Sequence, residues 1–283
     1  MDDYSAILQA ALDAASVSEE ENTVSLDPGT YLISNDVIVP SNVILRGSGH
    51  DTVLLCDDTR QGLSHILRVA GDHVSIEDLT VDGGGTADVT PIGIGTDRGV
   101  TGLNIQGVKV TRATHNGIRM YTGPSKGITV QECQFSNTNE GLTLQPYIRG
   151  NENIVLSNNT FFNLGSEAGG IGIQLYTEAT SDIPDDVFKN VIISGNQFFD
   201  MHPNALPMEP NGCTNITISN NILSGPGRRG ISTGRCKGML ITGNRITGQS
   251  VYAIELNGGQ DISIMGNMAE GCTSFAQATG TSD

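Results

Sequence analysis

The amino-acid sequence predicts an all-β fold, a single-stranded right-handed parallel β-helix with an N-terminal capping helix. Three observations carry this expectation. A short alternating apolar run recurs along the chain, an asparagine holds one fixed place in five of the runs, and a second short strand follows most of them about ten residues later. The runs are 103-LNIQGVKV-110, 128-ITVQECQF-135, 154-IVLSNNTF-161, 191-VIISGNQF-198, 216-ITISNNIL-223, 239-MLITGNRI-246 and 262-ISIMGNMA-269, with 74-VSIEDLTV-81 as a looser eighth.

The first element in chain order is the cap. Tyr4, Ile7, Leu8, Ala11, Leu12 and Ala15 recur at helical spacing, so a helix over 2–15 is expected, with Asp2 or Asp3 as its N-cap. It would plug the first coil and shield its strand edges. Coils over 24–280 then complete one domain, 1–283. The sixth positions of the runs read Leu79, Val108, Cys133, Asn159, Asn196, Asn221, Asn244 and Asn267, spaced 23 to 29 residues apart with one interval of 37. In a solenoid such residues stack about 4.8 Å apart. Stacked asparagine amides can then bond one another, and asparagine tolerates the left-handed backbone expected at the bend.

The second strands, 117-GIRMY-121, 141-GLTLQ-145, 172-GIQLY-176, 205-ALPME-209, 230-GISTG-234 and 253-AIELN-257, point Ile118/Met120, Leu142/Leu144, Ile173/Leu175, Leu206/Met208 and Ile254/Leu256 inward by simple alternation. At the far end, 275-FAQATGTSD-283 offers no comparable cap, so either the chain continues or that end meets a partner.

Composition limits the function. The 15 Lys and Arg face 31 Asp and Glu, and a net charge of −16 repels nucleic acid and anionic membrane surfaces alike. No apolar run approaches the roughly 20 residues that span a bilayer. No signal peptide is visible, and the expected location is secreted, extracellular or on a phage particle. The five cysteines lack zinc-site spacing. Cys213 and Cys236 lie at equivalent places in adjacent coils, within reach of a disulfide, and a reduced thiol ladder fits the same stacking.

The stretch 3-DYSAILQAALDAA-15, the segment 28-PGTYLISNDVIVPSNVILRGSGHDTVL-54 and the exit strand 76-IEDLTVDG-83 resemble the opening of pectate-lyase-superfamily β-helix proteins. That superfamily includes polysaccharide lyases, alginate C5-epimerase modules and phage tailspike depolymerases. The resemblance implies a saccharide bound along an exposed face of the solenoid. One departure matters: where the epimerases carry Asp-Pro-His, this chain reads 117-GIRMYTG-123, with Arg119 and Tyr121 in place of the Asp and the His. The paired aspartates and His-Gly of polygalacturonases are also missing.

The outward residues of the second strands form two expected columns. One reads Gly95, Arg119, Thr143, Gln174, Pro207, Ser232, Glu255; the other reads Asp97, Tyr121, Gln145, Tyr176, Glu209, Gly234, Asn257. Aromatic rings offer sugars a stacking face and amides pair with hydroxyls, so these columns suit a polysaccharide or oligosaccharide. The long inserts 162–170 and 177–188 flank Gln174 and Tyr176, and His115 and His202 stand at the rim. Glu178, Asp182, Asp185 and Asp186 in the second insert are candidate oxygen ligands for Ca²⁺, the one ion suggested; no cofactor is required.

Two chemistries fit. In β-elimination on a uronate, Arg119 or Arg235 neutralises the carboxylate while Tyr121, Tyr176 or His115 moves the proton. In hydrolysis, Glu209 and Glu255, two coils and one column apart, act as an inverting pair. Elimination is slightly favoured. An epimerase or transferase and a non-catalytic binding or fibre module, the last as a trimer, complete the alternatives.

Overall fold

A computed structural model describes residues 2–19, 21–57, 64–85, 88–95, 98–146, 148–176 and 187–281. The chain winds as a right-handed parallel β-helix of about nine turns behind one short helix. Each turn gives one strand to each of three parallel ladders. The first ladder starts at Thr23–Ser25, the second at Gly29–Ile33 and the third at Val37–Val39. The strands Gly227–Thr242 and Gln249–Met265 run unbroken from the third ladder around the corner into the first.

The helix is Ser5–Ser16, and it buries Leu8, Leu12 and Ala15. It begins three residues later than the sequence suggests, and its N-cap is Tyr4, not Asp2 or Asp3; Asp3 lies just before the cap, where its carboxylate accepts from the Ser5 backbone N–H at 3.0 Å and the Ser5 hydroxyl at 2.6 Å. The Ser5 side-chain bond, the largest cause, and the backbone bond hold the Asp3 carboxyl below its usual range. Gln9 closes the edge of the first third-ladder strand, donating to the Ile38 carbonyl and accepting from the Ile38 N–H. One contiguous core runs from Leu8 to Leu256.

Inside the coils like sits on like. Phe135, Phe161 and Phe198 stack with centroids 4.7 and 4.6 Å apart and planes within 5°. This stack leaves no room for a side chain at the start of the neighbouring third-ladder strands: a Cβ on Gly172 would lie 2.5 Å from Phe198. The glycine therefore faces inward, and the residue before it turns outward, which breaks simple alternation at this point.

Asn159, Asn196, Asn221 and Asn244 are fully buried. Each donates one amide hydrogen to the Oδ1 of the next, through to Asn267, at 2.8–3.0 Å, and the other to a main-chain carbonyl. The same Oδ1 also accepts the preceding residue's backbone N–H. The left-handed backbone is not at these asparagines, as expected from sequence, but one residue earlier, at Asn158, Gly195, Asn220, Gly243 and Gly266.

Cys213 and Cys236 are buried, adjacent and free. No helix among the described residues is long and apolar enough to cross a membrane. In the last turn Met265, Met268 and Phe275 are exposed.

The ladder makes a testable demand. Asn196→Ala strips the acceptor from the N–H and Nδ2 of Asn159 and the donor from the Leu156 carbonyl, at a cost of about 3 kcal/mol in unsatisfied buried groups. Asn190→Gly, at an exposed and already left-handed position, is expected to stay within about 0.5 kcal/mol. Urea unfolding of the two variants checks the contrast.

Candidate functional site

Strand pairing sets the outward columns of the third ladder residue by residue. The first reads Gly93, Arg119, Thr143, Gln174, Glu209, Ser232 and Glu255. The second reads Gly95, Tyr121, Gln145, Tyr176, Asn211, Gly234 and Asn257. Four places differ from the sequence expectation. Gly93 and Glu209 hold the positions assigned to Gly95 and Pro207, and Gly95 and Asn211 hold those assigned to Asp97 and Glu209. In two strands the alternating pattern had slipped by two residues. The inward pair beside Ile173/Leu175 is accordingly Met208/Pro210, not Leu206/Met208. Asp97 itself lies outside the described residues, as do Glu178, Asp182, Asp185 and Asp186, the candidate calcium ligands.

Outward-turned residues at the strand starts add a third column, His65, Thr90, Asn116 and Glu140. Together the columns build two clusters on one face.

The first cluster joins five turns. His65, buried, lies with Nε2 3.0 Å from the Tyr121 hydroxyl and Nδ1 3.3 Å from Asp36 Oδ2. The imidazole crosses the intervening turn over Gly93, where a Cβ would sit 2.3 Å from its Cδ2. Tyr121 also reaches the Thr90 hydroxyl at 3.3 Å. Burial works to raise the Asp36 carboxyl, but hydrogen bonds from His65 and the Ser64 backbone outweigh it and hold it below its usual range. The Arg119 guanidinium lies 4.8 Å from the centre of the Tyr121 ring and donates to Gln145 at 2.9 Å. Arg119, Tyr121, Thr90, Asn116, His115 and Asp88 line a pocket of about 320 Å³.

The second cluster is acidic. Glu209 and Glu255 share one column, with Ser232 between them, so their backbones are about 10 Å apart. Glu255 is buried, accepts from the Ser232 hydroxyl at 2.7 Å and pairs with Arg229 at 3.1 Å. Burial pushes the Glu209 carboxyl up, and the charges of Glu140 and Glu255 add to it; the Gln174 hydrogen bond at 2.7 Å and Arg229 only partly oppose this. Glu140 in turn accepts from Thr143 at 2.9 Å and from Asn116.

The structure thus brings together Arg119, Tyr121, Gln145 and His115 in one place and Gln174, Glu209 and Glu255 in another. It does not bring the others. Tyr176 stands two turns beyond Tyr121 in the same column. His202 sits 3.5 Å from Glu167, three turns from His115. Asn257 accepts from Thr279, about 24 Å along the axis from Tyr121. Arg235 lies past Gly234 at the corner, in a separate pocket with Lys237 and Gln260. Sequence reasoning missed Asp36, His65, Thr90 and Glu140. The signal for the last three was a polar residue two places before the inward aliphatic pairs Leu67/Val69, Ile92/Ile94 and Leu142/Leu144.

Residues 1–181 match the family model described as rhamnogalacturonase A/epimerase, pectate lyase-like, and residues 101–282 match that of the periplasmic copper-binding protein NosD. The solved A-module of mannuronan C-5 epimerase AlgE6 from Azotobacter vinelandii is similar over 99% of this chain and 95% of its own, with 19% identity and a TM-score of 0.62. A protein of Geobacillus virus E2 is similar over 99% of this chain and 59% of its own, at 13% identity and a TM-score of 0.68. An iota-carrageenase from A. fortis is similar over 91% of this chain and 54% of its own, at 16% identity and a TM-score of 0.60. At these identities the likeness is one of fold. No curated protein matches in sequence. Among the described residues no three His, Cys, Asp or Glu side chains gather as metal ligands.

The elevated Glu209 has a thermodynamic consequence. The folded chain holds this proton more tightly than the unfolded one, so its stabilising contribution is full below the ordinary carboxylate value of 4.5 and is lost as pH rises through the raised value. Glu209→Gln cannot titrate and is expected to lose less stability than the native chain as pH rises above 4.5. Thermal midpoints measured across that range check this; identical pH slopes would refute it.

Proposed function

Because the chain belongs to the rhamnogalacturonase A/epimerase, pectate lyase-like family and, through its C-terminal two-thirds, to the NosD family, we propose that it cleaves a uronate-containing polysaccharide laid along the third ladder, by β-elimination at Tyr121. The observation that carries this reading is the Asp36–His65–Tyr121 chain of hydrogen bonds ending in the pocket beside Arg119. The neighbouring epimerase is named for C-5, the carbon from which this elimination takes its proton.

The chemistry follows from the partners. Asp36, ionised, accepts from the His65 Nδ1–H, and this leaves Nε2 as the acceptor for the Tyr121 hydroxyl proton. Arg119 faces the substrate carboxylate and stabilises the charge that spreads into it when the C5 proton leaves. The Tyr121 phenolate takes that proton, the C–H electron pair becomes the C4=C5 double bond, and the C4–O4 bond breaks. The new Tyr121 hydroxyl then protonates the departing O4, and the His65 imidazolium returns its proton to Tyr121, so the cycle closes without loss or gain. The polymeric substrate and the periplasmic family are in keeping with work outside the cytoplasm.

A second reading rests on a separate observation. Burial favours the protonated form of Glu209, and Arg229 and the Ser232 hydroxyl orient Glu255, the two carboxyl groups that an inverting hydrolysis would use as acid and base.

Digestion of a uronate polymer separates the two. Elimination yields an unsaturated product that absorbs in the ultraviolet, and Tyr121→Phe is expected to lower turnover about 100-fold or more. Gly93→Ala, which drives a methyl into the His65 ring, is expected to cost a comparable factor without touching substrate. Reducing ends without absorbance, abolished by Glu209→Gln and indifferent to Tyr121→Phe, would establish hydrolysis instead.

A further inference from the structure

Beside the groove, where three successive turns pass from the second ladder to the third, lies a pocket of about 500 Å³. The first long insert builds one wall with Asn163, Gly165, Ser166 and Ala168; Asn137, Thr138 and Asn139 form the floor. His115 is common to this pocket and to the one beside Tyr121, so the two adjoin.

The lining has the character of a neutral sugar site. It holds no carboxylate, lysine or arginine, which argues against an ionic ligand. Its polar groups are amides and hydroxyls, interrupted by small residues that admit a ring. Asn163 donates to Asn137, and Ser166 donates to Asn139. The amide hydrogens of Asn137 and Asn139 then have no acceptor among the described residues. Thr138, only 3% exposed, carries a hydroxyl with no hydrogen-bond partner. A buried unpaired hydroxyl is costly, and because this oxygen is closed to solvent, a ligand hydroxyl pairs with it only after a small rotation of the Thr138 side chain.

We propose that this pocket binds a neutral pyranose carried as a side branch by the polysaccharide in the groove. The branch role rests on the function proposed above; the affinity for a neutral sugar does not. Its position supports the branch role: Asn139 precedes the outward Thr143 by four residues along its own turn, so the pocket lies to the side of the columns and not in line with them.

Two measurements test it. Methyl glycosides of neutral hexoses, titrated into isotope-labelled protein, are expected to shift the side-chain amide resonances of Asn137, Asn139 and Asn163, whereas sodium glucuronate leaves them in place. Ser166→Phe, at an exposed loop position, and Asn139→Leu should each abolish the shifts. In the second measurement a uronate polymer bearing neutral branches is compared with its debranched form. The native chain is expected to prefer the branched form about tenfold, as one or two sugar hydrogen bonds allow, and both variants to lose that preference while cleaving the debranched polymer unchanged. Absent shifts, or shifts that persist in both variants, overturn the site. Shifts without cleavage of any polymer would uphold the sugar site and refute the proposed function, and with it the branch role. Equal cleavage of both polymers by the native chain overturns the branch role alone.

Discussion

Pairing of parallel strands, residue on residue and turn on turn, decides the neighbours of every side chain in this molecule. At about 4.8 Å per turn, a column is a row of identical environments, and whatever suits one turn must suit the next. The buried amides enforce this at the bend most able to slip. Each ladder oxygen accepts both the backbone and the side-chain N–H of the preceding asparagine, so a one-residue shift in any turn would break two bonds above it and two below. The ladder begins where Cys133 donates its backbone N–H to Asn159. Before it, Leu79 and Val108 fill the same column with aliphatic groups, buried and silent in hydrogen bonding.

The same periodicity explains what could be read from the sequence and what could not. The solenoid, the interior of most coils and the stacking asparagines were legible because buried positions recur at a fixed offset. The places of Glu209 and of Gly93 and Gly95 were not. Leu206, Met208 and Pro210 alternate equally well in either of two registers, since a shift by two residues leaves every side chain on its original face. Only the pairing of Gln174 with Glu209 resolves it, and that is a long-range fact. His65 and Glu140 were hidden for a different reason. At Glu140 the inward Gly141 beside the phenylalanine stack reverses the alternation at the strand start, and at His65 the buried Ile66 does the same, so residues that strict period-two counting sends toward the core instead face outward.

That reversal has a functional cost and a functional use. It removes a side chain from the interior at Gly141 and Gly172, which the large rings make good. In exchange it places polar groups on the rim of the groove, where Asn116 ties Glu140 to Thr143 and His65 spans an entire turn to reach Tyr121. Gly93 serves the second of these contacts directly. Its missing side chain is the space the imidazole occupies, and no contact counted on a single turn would reveal it.

The two clusters give the face an electrical direction along its axis. Arg119 marks one end and Glu209 with Glu255 the other, three to five turns away, or about 14 to 24 Å. A uronate at the Arg119 end gains an ion pair in a partly enclosed pocket. The same uronate at the other end meets Glu209 and Glu255, and Arg229 is already engaged. On the proposed reading a polyanion favours a register in which one of its carboxylates lies beside Arg119, and a neutral segment is the better tenant of the acidic end. Charge would then select the chemistry: the Arg119 end attracts a substrate carboxylate beside Tyr121, whereas Glu209 and Glu255 repel it. The net charge of −16 is compatible with an acidic substrate on these terms, because binding depends on the local arrangement along the groove and not on the sum over the surface.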